Sequence, residues 1–463
     1  MKKIFALLLC AALVCCAFGC TRTEEPKPSS SAVSGEAAPL RVYYVGEADT
    51  EPMIRALLDW YKTSDDCLPI EATSFKSAEE LEQALEGDKA PDVILLDKYS
   101  SSFIINPFQW AKDGKLAGLH EYLQADTDYD PANYINGAIE AGKCGDEQFI
   151  LPLSVSIQYL ITDAQTLGAG GLSELSDQYT AQQLLQALMA DADLHKDSAD
   201  YCSQLPLMLS ISNRYQWMYE VLEHTGALHV DREAGQVAVD PALFALTMEY
   251  FRTTMDMAFP YFSGAATVTS MSFADIRDFC TVILGNSNMI CAARYMSSAC
   301  HQLLQQDAEL LFYPLGDGDG YSVNINIMGM VSASSSQPEA AVRFLRALMD
   351  IPHDQWEMIT MYDAMAMLTP VNQNEALALI DSFRSLSGGQ YQIQKQAFDR
   401  EALPQDLADS LQSLIQENKQ AFIVDADICT VLEAYLADYL SGQTNSLPDD
   451  IAEKVQKAIE DSL

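Results

Sequence analysis

Short apolar runs and amphipathic segments alternate along this chain. Leu40 to Val45 (LRVYYV) is a β-rich run closed by Gly46-Glu47-Ala48-Asp49, and Glu51 to Lys62 sets Ile54, Leu57, Leu58 and Tyr61 on one face of a helix opened by Pro52. Pro69 to Phe75 predicts a second strand, Ala78 to Leu85 a helix, and Ala90 to Asp97 (APDVILLD) a buried parallel strand with an acidic end. Such alternation implies an open α/β sheet flanked by helices. The same grammar returns late in the chain. Leu310 to Leu315 is apolar, Gly316-Asp317-Gly318-Asp319-Gly320 fits only a loop, and Tyr321 to Val331 reads as a strand. A polar turn then leads to Pro338, after which Ala341, Phe344, Leu345 and Leu348 recur at helical spacing.

The first residues break this pattern. Lys2 and Lys3 precede an unbroken apolar run from Ile4 to Phe18. That run is shorter than the about 20 residues of a membrane span and fits a secretory signal, residues 1–19. Cys20 stands where lipoprotein signals place the cysteine that receives lipid; Gly19 before it fits the pattern, and Ala17 and Phe18 fit it loosely. Residues 20–39 are then a lipidated cysteine and a flexible linker, since Thr21 to Pro39 holds no aromatic residue and one Val, too little to offset ordering entropy. The remainder, Leu40 to Leu463, exceeds the roughly 250 to 300 residues at which single cores stop growing, so two lobes are expected.

Charge narrows the partners. The chain carries 27 basic and 66 acidic residues; loss of Lys2 and Lys3 with the signal leaves 25 against 66, a net −41. Such a surface repels phosphate backbones and anionic headgroups, so no nucleic acid is expected and membrane retention falls to the anchor. Its simplest role is solubility. Beyond the signal and Cys20, seven cysteines remain: Cys67, Cys144, Cys202, Cys280, Cys291, Cys300 and Cys429. They show no CxxC spacing, a poor disulfide framework and a poor zinc site, and most read as small apolar core side chains, with one pair that the sequence does not identify left open.

Several segments, in order, resemble the extracellular solute-binding proteins of ABC importers, family 1, the sugar-binding, maltose-binding-protein-like group. Tyr313 to Gly318 resembles that family's "YPLPGGDG", Val331 to Gln337 its "ISSKSKN" and Glu339 to Leu345 its "EAAWEFLKFL". Ala90-Pro91-Asp92-Val93 matches its third strand, Gly114 to Leu123 its "GLLLPLDDYL", and Gly142 to Asp163 the hairpin and crossing strand of "DGKVYGLPYNVSTSVLYYNKD". Phe279 to Ser298 is similar to a second crossing strand, with Asn288 to Ala293 as that strand and Arg294-Tyr295 where the family often has Ser-Trp. Met365 to Asn372 resembles "G.lPv", and the segment from Leu432 to Leu463 resembles the family's closing helices.

The resemblance implies a two-lobed, periplasmic-binding-protein-like α/β fold, each lobe an open mixed sheet flanked by helices, with the ligand cleft between the lobes. It divides the chain into a first lobe of residues 40–153 and 295–323 and a second of residues 154–294 and 324–463. Ser154 to Gln158 become hinge and cleft residues, and Asn213, Tyr215 and Trp217 candidates for the second wall. Loops beyond the carboxyl ends of parallel strands bind ligand, which places Asp97, Lys98 and Tyr99 at the cleft. A sugar offers hydroxyls and an apolar face, so its site needs aromatic platforms and planar polar groups. Tyr44, Glu47, Lys98, Tyr99, Gln158, Trp217, Arg294 and Tyr295 supply those types at the segments concerned.

Other chemistry finds less support. Leu386 to Gln390 spells the ABC ATPase signature, but the chain has no GxxxxGK[ST] loop, so it reads as a Gly turn between helices. Asp126, Asp128 and Asp130 have calcium-loop spacing, yet Pro131 replaces the needed glycine and no Glu closes the loop. The histidines form no HExxH motif, GxSxG is absent, and no pair of the many carboxylates is singled out for glycoside cleavage. The sequence thus predicts no catalyst, cofactor or metal. It predicts a lipid-anchored extracellular binding protein that captures a small solute, a mono- or oligosaccharide foremost, and delivers it to an ABC permease by hinge closure. The alternatives are a secreted carbohydrate-active hydrolase and a ligand-binding sensor subunit for a membrane kinase.

Overall fold

The computed structural model describes residues 38–463 apart from 46–50, 65–66, 88, 99–104, 164–167, 169–170, 173–178, 196–213, 233, 263–282, 288–309, 315, 317–319, 357–368, 386–387, 389, 394–395 and 400–401. The chain divides into Met1–Ala38 and one compact unit, Pro39–Leu463. Among the described residues no helix is long and apolar enough to cross a membrane.

The first half of the compact unit follows the periodicity closely. β1 (Leu40–Val45) lies parallel between β2 (Ile70–Phe75) and β3 (Val93–Asp97). β3 is buried at every position, as a strand covered on both faces requires. Helix α1 (Glu51–Thr63) buries Ile54, Leu57, Leu58 and Tyr61. In α2 (Ala78–Leu85), Ser77 caps the first turn by accepting from Glu80 N. α3 (Pro107–Lys112) and α4 (His120–Ala125) follow, then a two-strand ribbon of β4 (Lys143–Cys144) and β5 (Glu147–Gln148).

Two long strands tie the sheet together. β6 (Ile150–Asp163) pairs through Ile150 to Val155 with β11 (Tyr321–Val331), then through its later residues with β9 (Ile283–Ser287) and β10 (Leu310–Pro314). β11 pairs first with β15 (Asn418–Phe422) and then with β3. The sheet runs β10-β6-β11-β3-β1-β2, with β9 and β12 (Thr369–Pro370) also on β6 and β15 on β11. β6 is the long strand at the segment expected to cross, and β11 lies beside it. The segment 288–293, expected to cross as well, lies outside the described residues.

Two hydrophobic cores result. One gathers β1, β3, the first half of β6 and β11 from Val323 to Val331 with α1. The other is built on α5 (Ala181–His195), α6 (Arg214–His224), the hairpin of β7 (Leu228–Asp231) and β8 (Gln236–Val239), and α7 (Pro241–Phe262). Elements of the late chain divide between the two cores. Leu345 of α8 (Pro338–Met349), Ile380 of α9 (Gln373–Ser385) and Leu411 of α10 (Gln405–Gln416) belong to the first core. Phe422, Val424, α11 (Ala426–Leu440) and α12 (Ile451–Glu460) join the second. The cause is β11, which runs antiparallel to β3 and returns the chain to the first sheet. A Cβ at Gly329 would come within 2.3 Å of Leu345, so α8 rests directly on that strand. The turn at Gly388 leads from α9 into a hairpin, β13 (Gln390–Ile393) and β14 (Gln396–Asp399), rather than into a further helix.

Candidate functional site

Helix α6 has two faces. Met218, Val221 and Leu222 pack into the second core, while Gln216, Glu220 and His224, four residues apart, form a polar stripe that is nonetheless buried. β11 has two faces as well. Val323, Ile325, Ile327 and Gly329 alternate on the side covered by α8, so Ser322, Asn324 and Asn326 project to the opposite side. The two polar stripes meet: Ser322 Oγ and His224 Nδ1 are 3.0 Å apart.

Lys98 completes this seam from the end of β3. It is inaccessible to solvent, and its Nζ donates to Ser156 Oγ at 3.3 Å and to Glu220 Oε2 at 3.1 Å. Gln216 Nε2 donates to the other oxygen, Glu220 Oε1, at 3.2 Å. The last paired residues of β11 and β3 are Ile327 and Asp97, so Asn326 and Lys98 stand one step beyond them in register. Asn326 is also a bulge against β6, because Ile325 faces Val155 while Ile327 faces Ser154. Bulges re-aim side chains and are enriched beside binding sites.

Burial shapes the electrostatics. The imidazole of His224 is pulled down to about 3 by burial first and by the Lys98 charge second, so it stays neutral across the physiological range. Glu223 is pushed above the usual carboxylate range by burial, opposed by His229, whose Nδ1 lies 3.5 Å away, and by Tyr219, which donates to its Oε1. Four amide atoms of the seam, both of Asn324 and both of Asn326, have no hydrogen-bond partner among the described residues, although each residue is wholly buried. A larger cavity of about 280 Å³ reaches α6 at Tyr219 instead and is lined by Phe108, Asn136, Glu140, His229 and Arg232. Its most buried cation is already engaged, Arg232 pairing with Asp425 and lying 4.0 Å from the ring centre of Phe108. The seam, where buried polar atoms lack partners, is therefore the stronger candidate.

Of the residues singled out in the sequence, Lys98 lies in the seam. Gln158 lies on β6 opposite Asn286, two positions beyond Ser156. Tyr44 is packed in the first core, its side chain beside the Arg55 guanidinium. Trp217 falls within α6, which begins at Arg214 and also holds Tyr215; Asn213 lies outside the described residues. Glu47, Tyr99, Arg294 and Tyr295 also lie outside them. Gln216, Glu220, Asn324 and Asn326 were missed. The period-two polar alternation in Tyr321 to Val331 was a signal for the two asparagines; nothing local distinguishes Glu220 among 66 acidic residues.

The aspartates of the calcium-like spacing are used internally: Asp126 pairs with Arg346, and Asp130 caps a short turn by accepting from Ala132 N. Cys67, Cys144 and Cys429 are free thiols; the other four lie outside the described residues.

No protein-family pattern and no curated protein matches this sequence. Solved structures do match its fold over nearly the whole chain. The cyclic alpha-maltosyl-1,6-maltose binding protein from Arthrobacter globiformis aligns with a TM-score of 0.57 at 14% identity, covering 92% of this chain and 98% of its own. An extracellular solute-binding protein of family 1 from Alicyclobacillus acidocaldarius gives 0.55 at 12%, covering 93% and 99%. The galacto-N-biose/lacto-N-biose I-binding protein of the ABC transporter from Bifidobacterium longum, in complex with lacto-N-biose, gives 0.57 at 14%, covering 93% and 98%. The chain has the two-lobed α/β fold of extracellular solute-binding proteins, and the structural neighbours named here are binding proteins rather than enzymes.

Proposed function

We propose that this chain is an extracellular, lipid-anchored solute-binding protein that captures a carbohydrate and hands it to an ABC permease by hinge closure. The observation that carries this reading is the Lys98–Glu220 pair. It joins the end of β3, a strand of the first core, to α6, a helix of the second, beside the paired strands β6 and β11. A bridge of that kind makes and breaks as two lobes rock about β6 and β11, and a ligand that contacts both sides favours the closed arrangement. The lobes follow the two cores: residues 40–155 and 325–415 form the first, and residues 184–251 with 422–459 the second.

The neighbours from Arthrobacter and Bifidobacterium are named for the saccharides they bind, which supports a sugar as the solute here. Cys20 at the end of the secretory signal supports the anchor, and the acidic chain leaves attachment to that lipid. The likeness of fold to a binding protein of an ABC transporter supports permease delivery.

Thermal unfolding against a panel of mono- and oligosaccharides tests the reading. A sugar at 100 times its dissociation constant stabilises the folded state by about 2.7 kcal/mol and raises the midpoint. Recovery of that sugar unchanged excludes a hydrolase; cleavage products support one. A sensor subunit is separated by its partner, a membrane kinase rather than a permease in crosslinking from intact cells.

A further inference from the structure

We infer that the carboxamides of Asn324 and Asn326 form the buried end of the solute subsite and read a pair of neighbouring hydroxyls on an uncharged sugar. This rests on the solute-binding reading for the class of ligand, but the place of the subsite comes from the seam itself.

A buried amide left without a partner is destabilising because its desolvation is not repaid, so two on one strand are unfavourable in a core that has no use for them. Leucine at both positions would fill the same space at no such cost. The two residues lie two apart on β11, both buried and without partners among the described residues, and Ser322, two places before Asn324, is already in contact with His224. The bulge at Asn326 turns that residue out of the regular ladder. Each amide presents one donor and one acceptor in a plane, and each sugar hydroxyl can both give and accept.

The charges beside the amides point to a neutral ligand. Lys98 and Glu220 lie 3.1 Å apart and offset one another, and Gln216 and Ser156 hold the two ends of the pair. An anionic sugar would have to draw Lys98 away from Glu220, and a cationic one the reverse; a neutral polyol leaves the pair intact. Access follows from the fold. Lys98 stands on the first core and α6 on the second, so separating β3 from α6 opens the seam.

The test uses the full-length protein carrying Asn324→Leu and Asn326→Leu together, compared with the native protein against the sugar of the panel that gives the largest midpoint shift. The expected result is a higher unfolding midpoint without sugar and an affinity lower by roughly 30-fold or more, the loss of two buried hydrogen-bonding groups. Monodeoxy analogues of that sugar add a second arm. Removal of a hydroxyl read by the amides weakens binding to the native protein by about 10-fold and leaves binding to the double variant unchanged. A lower midpoint, or failure to fold, overturns the inference by showing the amides to be structural. Unchanged affinity with a raised midpoint overturns it by placing the sugar elsewhere. If the native protein binds no sugar of the panel, the solute reading fails first and takes the ligand class with it; if it binds and the variant binds equally, the subsite alone is wrong.

Discussion

Lys98 Nζ lies 3.1 Å from Glu220 Oε2, with both side chains shut away from solvent, Lys98 following a strand of one core and Glu220 standing on a helix of the other. Replacing Lys98 with Met takes from a buried carboxylate the ammonium that faces it, and breaking one side of such a pair costs about 3 to 5 kcal/mol. The expected outcome is that loss for Lys98→Met in urea unfolding, with much of it recovered in the Lys98→Met/Glu220→Leu double variant. A double variant no more stable than Lys98→Met would show that the two residues are not coupled.

His224 gives the account a pH signature. Its folded value of about 3 lies below the 6.5 of an unperturbed histidine, so between those values the unfolded chain binds a proton that the folded chain refuses. Its contribution to stability is therefore complete above about pH 6.5 and is lost as pH falls toward 3, at up to about 1.4 kcal/mol per pH unit. Glu223, raised by burial, acts with the opposite sign, stabilising the acid side and losing that contribution as pH rises. Measured by denaturant unfolding from pH 4 to 7, His224→Gln should show a flatter acid limb than the native protein. Parallel curves would contradict the buried neutral imidazole.

Helix α8 rests on β11 at Gly329. Alanine there puts its Cβ 2.3 Å from Leu345 Cδ2 inside a core with no slack. Overpacking of this kind costs about 1 to 3 kcal/mol. Gly329→Ala should lower the unfolding midpoint, and adding Leu345→Ala should cost less in that background than in the native one. Equal costs would mean that the helix does not sit on the strand at this point.

Local order was legible where side-chain period and burial agree. β1, α1, α2, β11 and α8 fall where the alternation and the 3.6-residue spacing put them, because one face of each meets a core. Which core an element joins was not legible. The period of α8 says that Phe344 and Leu345 are buried, but not against which core, and that is set by the antiparallel return of β11. The seam was half legible. Lys98 follows an acidic strand end where cleft residues belong, whereas Glu220 is found only once α6 is folded and its four-residue stripe turned toward β11. Asn324 and Asn326 sat in plain view as polar residues at every second place of an apolar strand, and the apolar ones dominated the reading.

Calorimetric titration of the purified protein with the best-stabilising saccharide, followed by chemical analysis of the recovered sugar, separates solute capture from catalysis. A solute-binding protein shows one saturable site per chain and returns the sugar unchanged. Heat without saturation, or sugar returned as hydrolysis products, would contradict it.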